Sequence, residues 1–537
     1  MIFVTDSAGP AVASTGHLPR RGLETGRNAC VPIRWLAAVA GCVLSNLAVA
    51  GEPRPRIASD DLAPRIVLDP AVQSGPFSGR VYLALTPAGQ VEPRRRMHDW
   101  FRPAIIFSKD VVGLEPGEEL SIDDGWLGFP GRWSSVPEGE YAAQAVVRRS
   151  LDSPSAGQGE NDLISEPVAV RIPFEPGDRD EGIVRATERV SAPPFRETDR
   201  VRLVEIVSSS LSAFHGREYK VRAGVLLPEG HVSDGSVRYP VVYSITGFGG
   251  DHRAAHGIQR MVPPEAAAHV IMVVPDASCY RGHSVLADSE NNGPWGRMFI
   301  DELIPEVESR FHGAGEAQRY VTGVSSGGWS SLWLQVTYPD RFAGCWSHCP
   351  DPVDFRDFQR INIYEQPANM YRDEAGERRP LARRGDRVLL WYEDFCRREW
   401  VLGPGGQIHS FEAVFSPRSA DGEPALLFDR TTGEVDLAVA RAWEGYDIRL
   451  VLERDWARIG PSLSGKIHVY AGGADTFYLE GSVELLKKTL EDLGSSAVVE
   501  IIPGMGHTLH GPGNAAMFQA ILDRAAGSPS KSDASGG

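Results

Sequence analysis

Hydrophobic positions along this chain follow two different periods, and the change between them falls near Arg200. From Ile57 to Phe174 the apolar residues come in short or alternating runs, "RIVLDP", "GRVYLALTP", "PAIIFSKDVV", "EGEYAAQAVVRR" and "EPVAVRIPF", separated by turn residues. Alternation across a pleated strand has period two, so these runs predict a small all-β sandwich over residues 57–175. The charged, proline-bearing stretch 176–199 reads as a linker. Beyond it, continuous apolar runs such as "YPVVYSI" and "HVIMVVPD" alternate with segments of helical spacing. That alternation predicts an α/β domain over 200–527, with a mostly parallel sheet covered on both faces. In "RMFIDELIPEVESRF", Phe299, Leu303, Val307 and Phe311 share one helical face, and Pro305 predicts a kink within it. The alternation stops between Pro350 and Ser464 and then resumes, which predicts an insertion over 352–464. The tail 528–537 has the composition of a disordered segment.

The N-terminus carries a separate signal. Arg27 and Arg34 precede an apolar run from Trp35 to Ala50 that ends Ala48-Val49-Ala50. The run is shorter than the roughly 20 residues of a membrane span and reads as a secretory signal peptide over residues 1–50. A periplasmic or secreted protein is expected. Val39-Ala40-Gly41-Cys42 offers a second reading, a lipid anchor on Cys42. Without the first fifty residues four cysteines remain, Cys279, Cys345, Cys349 and Cys396, with no zinc-type spacing and no pairing fixed by the sequence. The formal charge of −16 disfavours a general nucleic-acid role.

The chemistry is concentrated in "RYVTGVSSGGWSS". In a Gly-x-Ser-x-Gly elbow a strand turns sharply into a helix, and the positions two before and two after the nucleophile are too crowded for a side chain. Ser325 is flanked by Gly323 and Gly327, whereas Ser326 would be flanked by Val324 and Gly328. Ser325 is therefore the expected nucleophile. The backbone N–H of Ser326, at the start of the following helix, is an expected oxyanion donor. A serine hydroxyl needs a base, itself oriented by a carboxylate. Asp475 follows the strand "KIHVYAGGAD" and His507 follows "VVEIIPGMGH", giving the chain order serine, acid, histidine. His510 and Glu480 are the nearest substitutes. Phe248 in "SITGFGGDH" is the expected second oxyanion donor. No phosphate-loop or dinucleotide fingerprint follows that loop.

With these residues in view, the chain resembles the esterase D-like branch of the α/β-hydrolases. That branch includes S-formylglutathione hydrolases, feruloyl esterases, the catalytic domain of enterochelin esterases and the mycolyl transferases. The likeness spans roughly Tyr239 to Cys349 and Gly465 to His510, through "YPVVYSITGFGG", "FIDELIPEVESRF", "YVTGVSSGGWSSLWLQVTYPDRFAG" and "GMGH". It implies an α/β-hydrolase fold, a nucleophile at Ser325, an acid at Asp475, a base at His507 and oxyanion donors at Phe248 and Ser326. It implies no cofactor and no metal. Thr246 stands where the branch commonly has histidine, and the 352–464 stretch is longer than its usual connection. The expectation is an exported serine carboxylic-ester hydrolase acting on a small or polysaccharide-linked ester. Acyl transfer and an idle polysaccharide-binding protein are the alternatives.

Overall fold

The computed structural model describes residues 63–173 and 182–527. The expected signal peptide, Cys42 and the 528–537 tail lie outside these residues. The described residues form one compact unit.

The first part is mostly antiparallel sheet, with Arg65–Leu68 and Ile183–Ala186 as a parallel pair. Strands β1 (Arg65–Leu68), β2 (Phe77–Pro87), β3 (Ile105–Leu114), β4 (Glu119–Ser121), β5 (Leu127–Phe129), β6 (Gly139–Val147), β7 (Leu163–Ile164), β8 (Val168–Ile172), β9 (Ile183–Ala186) and β10 (Glu188–Arg189) make two sheets. The larger runs β10-β7-β6-β2-β3-β5 with β8 also on β6, and the smaller runs β4-β1-β9. Alternation along β2 explains their packing. Val81, Leu83 and Leu85 point into a core shared with Ile66, Leu68, Phe107 and Val184, while Tyr82 and Ala84 point to the opposite face. The stretch expected to be a linker, 176–199, contains β9 and β10. These pair with β1 and β7, so the sheets reclaim this segment through backbone hydrogen bonds as far as Arg189.

The second part is an eight-stranded sheet. Its strands are β11 (Val201–Val207), β12 (Lys220–Leu226), β13 (Val241–Ile245), β14 (Ile271–Pro275), β15 (Arg319–Ser325), β16 (Gly344–Pro350), β17 (Ile467–Gly472) and β18 (Val498–Ile502). Their order is β11-β12-β14-β13-β15-β16-β17-β18. Strand β12 is antiparallel to both neighbours, and every pair from β14 to β18 is parallel. This is the strand order of an α/β-hydrolase. β13, β14 and β15 are buried over most of their length, as strands covered on both faces must be.

Helices α1 (Ile304–Phe311), α2 (Ser326–Thr337), α3 (Tyr392–Leu402), α4 (Gln407–Phe415), α5 (Ile448–Leu463), α6 (Glu480–Asp492) and α7 (Gly511–Gly527) complete the frame. Phe299, Leu303, Val307 and Phe311 are all buried. Pro305 sits in the first turn of α1, directly after a π-helical turn over Phe299–Leu303. The wider turn absorbs the hydrogen bond that proline cannot donate. Helix α5 packs against α2 over the sheet, so the stretch that departs from strand–helix alternation ends near Asp447, before Ser464.

The β-rich part is fastened to the end of α3. The last carbonyls of a helix lack partners within it, and here side chains from β2 and β3 supply them. Arg80 Nη1 donates to Trp400 O (3.2 Å), Ser108 Oγ to Val401 O (2.6 Å) and Tyr82 Oη to Leu402 O (2.7 Å). Arg148 reaches Pro404 O just beyond. Val401 and Leu402 themselves are buried against Tyr82, Ala84 and Ile106.

Candidate active site

The two serines differ sharply in backbone and exposure. Ser325 ends β15 with φ 62° and ψ −127°, a conformation costly for a residue with a side chain. It is partly exposed, whereas Ser326 is fully buried at the start of α2. The glycines show why the turn is possible. A Cβ on Gly327 would lie 2.0 Å from the carbonyl oxygen of Ile245, and one on Gly323 would lie 2.3 Å from the Gly327 backbone. Both positions exclude any side chain, so the strained elbow is centred on Ser325.

His507 and Asp475 meet at the same edge of the sheet. His507 Nδ1 lies 2.8 Å from Asp475 Oδ2, and Asp475 Oδ1 accepts from the Phe477 backbone N–H at 2.7 Å. Burial opposes charge on His507. The Asp475 carboxylate, through charge and hydrogen bond, and the nearby Cys349 thiol outweigh it and hold the imidazole well above its ordinary pKa. The other ring nitrogen, Nε2, is buried with no hydrogen-bond partner among the described residues. The substitutes are elsewhere engaged. His510 packs on Tyr470 and donates its N–H to His348, and Glu480 pairs with Arg383.

Ser325 does not use His507 as its acceptor in this arrangement. Its Oγ donates to Asp351 Oδ1 at 3.3 Å, while Asp351 Oδ2 accepts from Ser326 Oγ at 2.5 Å and from Gln407 Nε2 at 3.1 Å. Burial pushes the Asp351 carboxyl up to about 6, against hydrogen bonds from Ser326, Ser325 and Gln407 and the charge of His507. Asp351 is thus in the electrostatic reach of both Ser325 and His507. The sequence reading missed it, because nothing in "CPDPVDF" marks an acid that folds back onto the elbow. Gln407 is placed by Glu399, a buried carboxyl raised to about 7 by desolvation, which accepts from the first N–H groups of α4.

Phe248 lies in the loop after β13, where Thr246 O accepts from His283 Nε2 at 3.0 Å. The Phe248 ring stands 5.9 Å from Trp100. Of the insertion aromatics, Tyr392 and Phe411 are buried, Phe411 stacks with Phe415, Trp391 lies under Arg378, and Trp400 is 42% exposed. Among Trp391, Tyr392, Phe395, Trp400 and Phe411, Phe395 alone has a ring contact with Trp100, at 4.8 Å.

Among the described residues, the group that could hold a metal ion uses these same side chains. Cys349 Sγ, an Asp475 oxygen and a His507 nitrogen lie within 4.8 Å of one another. The 2.8 Å bond between His507 and Asp475 already satisfies two of these donors. The arrangement therefore fits proton transfer better than metal ligation.

Residues 212–393, which hold the elbow, match the Esterase family, described as "Putative esterase". The match marks the protein as a carboxylic ester hydrolase, similar to this family over those residues. Asp475 and His507 lie beyond the matched residues, so their place in the site rests on geometry. Among solved structures the chain is similar to a ferulic acid esterase (15% identity, TM-score 0.36, 60% of this chain and 97% of the other). It is likewise similar to an S-formylglutathione hydrolase from Agrobacterium tumefaciens (16%, 0.36, 61% and 94%). A third is the Staphylococcus aureus fluorophosphonate-binding serine hydrolase F (15%, 0.36, 60% and 97%). No curated protein matches the sequence. No helix among the described residues is long and apolar enough to cross a membrane.

Proposed function

We propose that this esterase works through an acyl-enzyme on Ser325, with Asp475 and His507 as its acid and base, and that it acts after export. The observation that carries this reading is the 2.8 Å bond between His507 Nδ1 and Asp475 Oδ2, which leaves Nε2 buried and without a partner near the elbow. The bond fixes the tautomer, so that Nε2 holds a lone pair when the ring is neutral.

In the reaction, Ser325 Oγ turns from Asp351 toward Nε2 and gives up its proton as it attacks the ester carbonyl. The negative charge on the former carbonyl oxygen is met by the N–H groups of Ser326 and Phe248. His507 then protonates the departing alcohol oxygen, leaving an ester on Ser325. Water, deprotonated by the same nitrogen, releases the acid and restores the serine. The β-rich N-terminal part acts as a fixed wall of the enzyme, consistent with its grip on the end of α3.

Labelling with a fluorophosphonate tests this directly. Wild-type protein takes up one equivalent on Ser325, and Ser325→Ala takes up none and loses ester hydrolysis. Full labelling of Ser325→Ala would overturn the assignment. N-terminal sequencing of exported material tests cleavage after Ala50.

A further inference from the structure

We propose that the seam between the N-terminal sheets and the insertion is a substrate subsite for a flat ring bearing an anionic group, with Trp100 as its wall and Arg398 as its anion contact. The proposal rests on the esterase site at Ser325 and names what that site accepts.

The seam holds a half-open cavity of about 270 Å³. Trp100, Phe129 and Pro130 line it from the N-terminal part, and Leu390, Phe395 and Arg398 from the insertion. A dry cavity of about 150 Å³ already holds benzene, so this volume takes one ring with a substituent. The N-terminal side is apolar and aromatic, and the insertion side sets Leu390 and Phe395 beside Asp394, Arg397 and Arg398, which suits a flat face with a charged edge.

Trp100 joins the cavity to the reacting groups. Although it belongs to the chain segment between β2 and β3, it packs with the core of the α/β part. Its ring lies 4.8 Å from Phe395, 5.9 Å from Phe248 in the oxyanion loop and 5.6 Å from Phe477. Phe477 in turn stands edge-on to the His507 ring at 4.9 Å. One indole therefore borders both the cavity and the catalytic edge. Its loop is held in place, since Asp99 Oδ1 accepts from the N–H groups of Phe101 (3.0 Å) and Arg102 (2.9 Å).

Arg398 supplies the polar observation. It is only 3% exposed, its Nη1 donates to Asp99 O at 2.5 Å, and its guanidinium lies 5.2 Å from the Phe395 ring centre. Its Nε is buried without a hydrogen-bond partner, and it joins no salt bridge with a carboxylate among the described residues. The other charged groups nearby are occupied: Asp394 by Arg378 at 2.6 Å, and Arg397 faces Glu393 at 3.8 Å. A buried guanidinium with no direct salt bridge is costly, and burial lowers its pKa to about 10 against the nearby charges of Glu399, Asp99 and Cys396. An anion entering with the substrate would offset that cost.

The test uses the full chain and two pairs of esters that differ by one carboxylate. The acyl pair is 4-nitrophenyl benzoate and the 4-nitrophenyl monoester of terephthalic acid. The alcohol pair is phenyl acetate and 4-acetoxybenzoate. In wild type the carboxylated member of one pair is favoured at least tenfold in kcat/KM, and that pair identifies which half of the ester occupies the seam. Arg398→Met removes the preference and Arg398→Lys keeps part of it. Trp100→Ala raises KM for the ring ester of that pair at least tenfold relative to 4-nitrophenyl acetate, and Trp100→Phe retains most of the selectivity. Should Trp100→Ala fail to fold, the Arg398 pair decides alone. No carboxylate preference in either pair, or its survival in Arg398→Met, overturns the subsite while fluorophosphonate labelling of Ser325 stays intact. Loss of that labelling in wild type would instead remove the esterase reading beneath it.

Discussion

Ser325 Oγ donates to Asp351 Oδ1 at 3.3 Å, so the proposed nucleophile's partner is a second buried carboxyl while Nε2 of His507 is left without one among the described residues. Asp351 titrates at about 6 instead of its ordinary 3.8. Between those values the folded protein holds a proton that the unfolded chain has lost, so stability falls as pH rises through this window and stays lower above it. The shift corresponds to about 3 kcal/mol. Asp351→Asn removes this titration. Its stability relative to wild type, read from urea melts, is expected to improve by about 2–3 kcal/mol between pH 4 and pH 7. A difference that does not change with pH would show that Asp351 is not the titrating group.

Ser326→Ala is expected to keep fluorophosphonate labelling, because its oxyanion contribution comes from the backbone. It removes the 2.5 Å bond to Asp351, and Gln407 Nε2 loses a second acceptor. Stability should fall by about 1–3 kcal/mol, the usual cost of stranding a buried polar partner. Activity below that of Ser325→Ala would reverse the two roles.

What the sequence revealed and what it concealed follow from the range of the forces involved. The elbow is local: Gly323 and Gly327 are required by contacts within a few residues and with the Ile245 carbonyl, so their spacing displays the proposed nucleophile. The order of Ser325, Asp475 and His507 is legible because each ends or follows a strand of recognisable pattern. Asp351 is not legible. Its role arises only when the end of β16, the first turn of α2 and Gln407 of α4 converge, and no spacing within the chain encodes that meeting. The same holds for Trp100, which "MHDWFRP" presents as a loop residue and which tertiary packing sets among Phe248, Phe395 and Phe477. The supposed linker failed for a related reason. Its charged composition gave no hint that Ile183–Ala186 completes a small sheet beside β1.

Asp475→Asn should alter the pH profile as well as the rate. A general base works when neutral, so kcat/KM rises as pH rises through the folded pKa of His507. The Asp475 carboxylate holds that pKa well above 6.5. Replacing it with an amide is expected to lower turnover by about 10⁴-fold, the scale seen when a triad acid loses its charge. The acid limb of the residual activity should move to lower pH. An unmoved limb would show that Asp475 does not set the charge state of the base.

Gly327→Ala places a Cβ 2.0 Å from the Ile245 carbonyl oxygen, a contact with backbone that no rotamer can relieve. The elbow or β13 must shift. Overpacking of this kind costs about 1–3 kcal/mol or more, and displacement of Ser325 by a fraction of an ångström is enough to misalign attack. The expected result is a lowered Tm together with loss of labelling. As a control, Gly249 has open space around its Cβ position but a φ of 79°, so Gly249→Ala should show the smaller cost of backbone strain alone. Equal effects at the two positions would mean that the close approach to Ile245 is not what demands glycine.

Removing the N-terminal sheets should do more than trim the enzyme. Arg80, Tyr82, Ser108 and Arg148 satisfy the carbonyls of Trp400, Val401, Leu402 and Pro404, and without them those groups must find water. Val401 and Leu402, 3% and 6% exposed, would lie open, as would the Phe395 face that Trp100 covers. Exposing two large apolar side chains forfeits about 1.5–3 kcal/mol each. The end of α3 also positions α4 through Glu399, and α4 carries Gln407 to Asp351. A chain beginning at Ala192 is therefore expected to aggregate or melt at lower temperature, and to lose labelling at Ser325 even where it stays soluble. Full labelling by a stable truncated chain would show that the sheets are dispensable to the site, and the coupling through α3 would have to be abandoned.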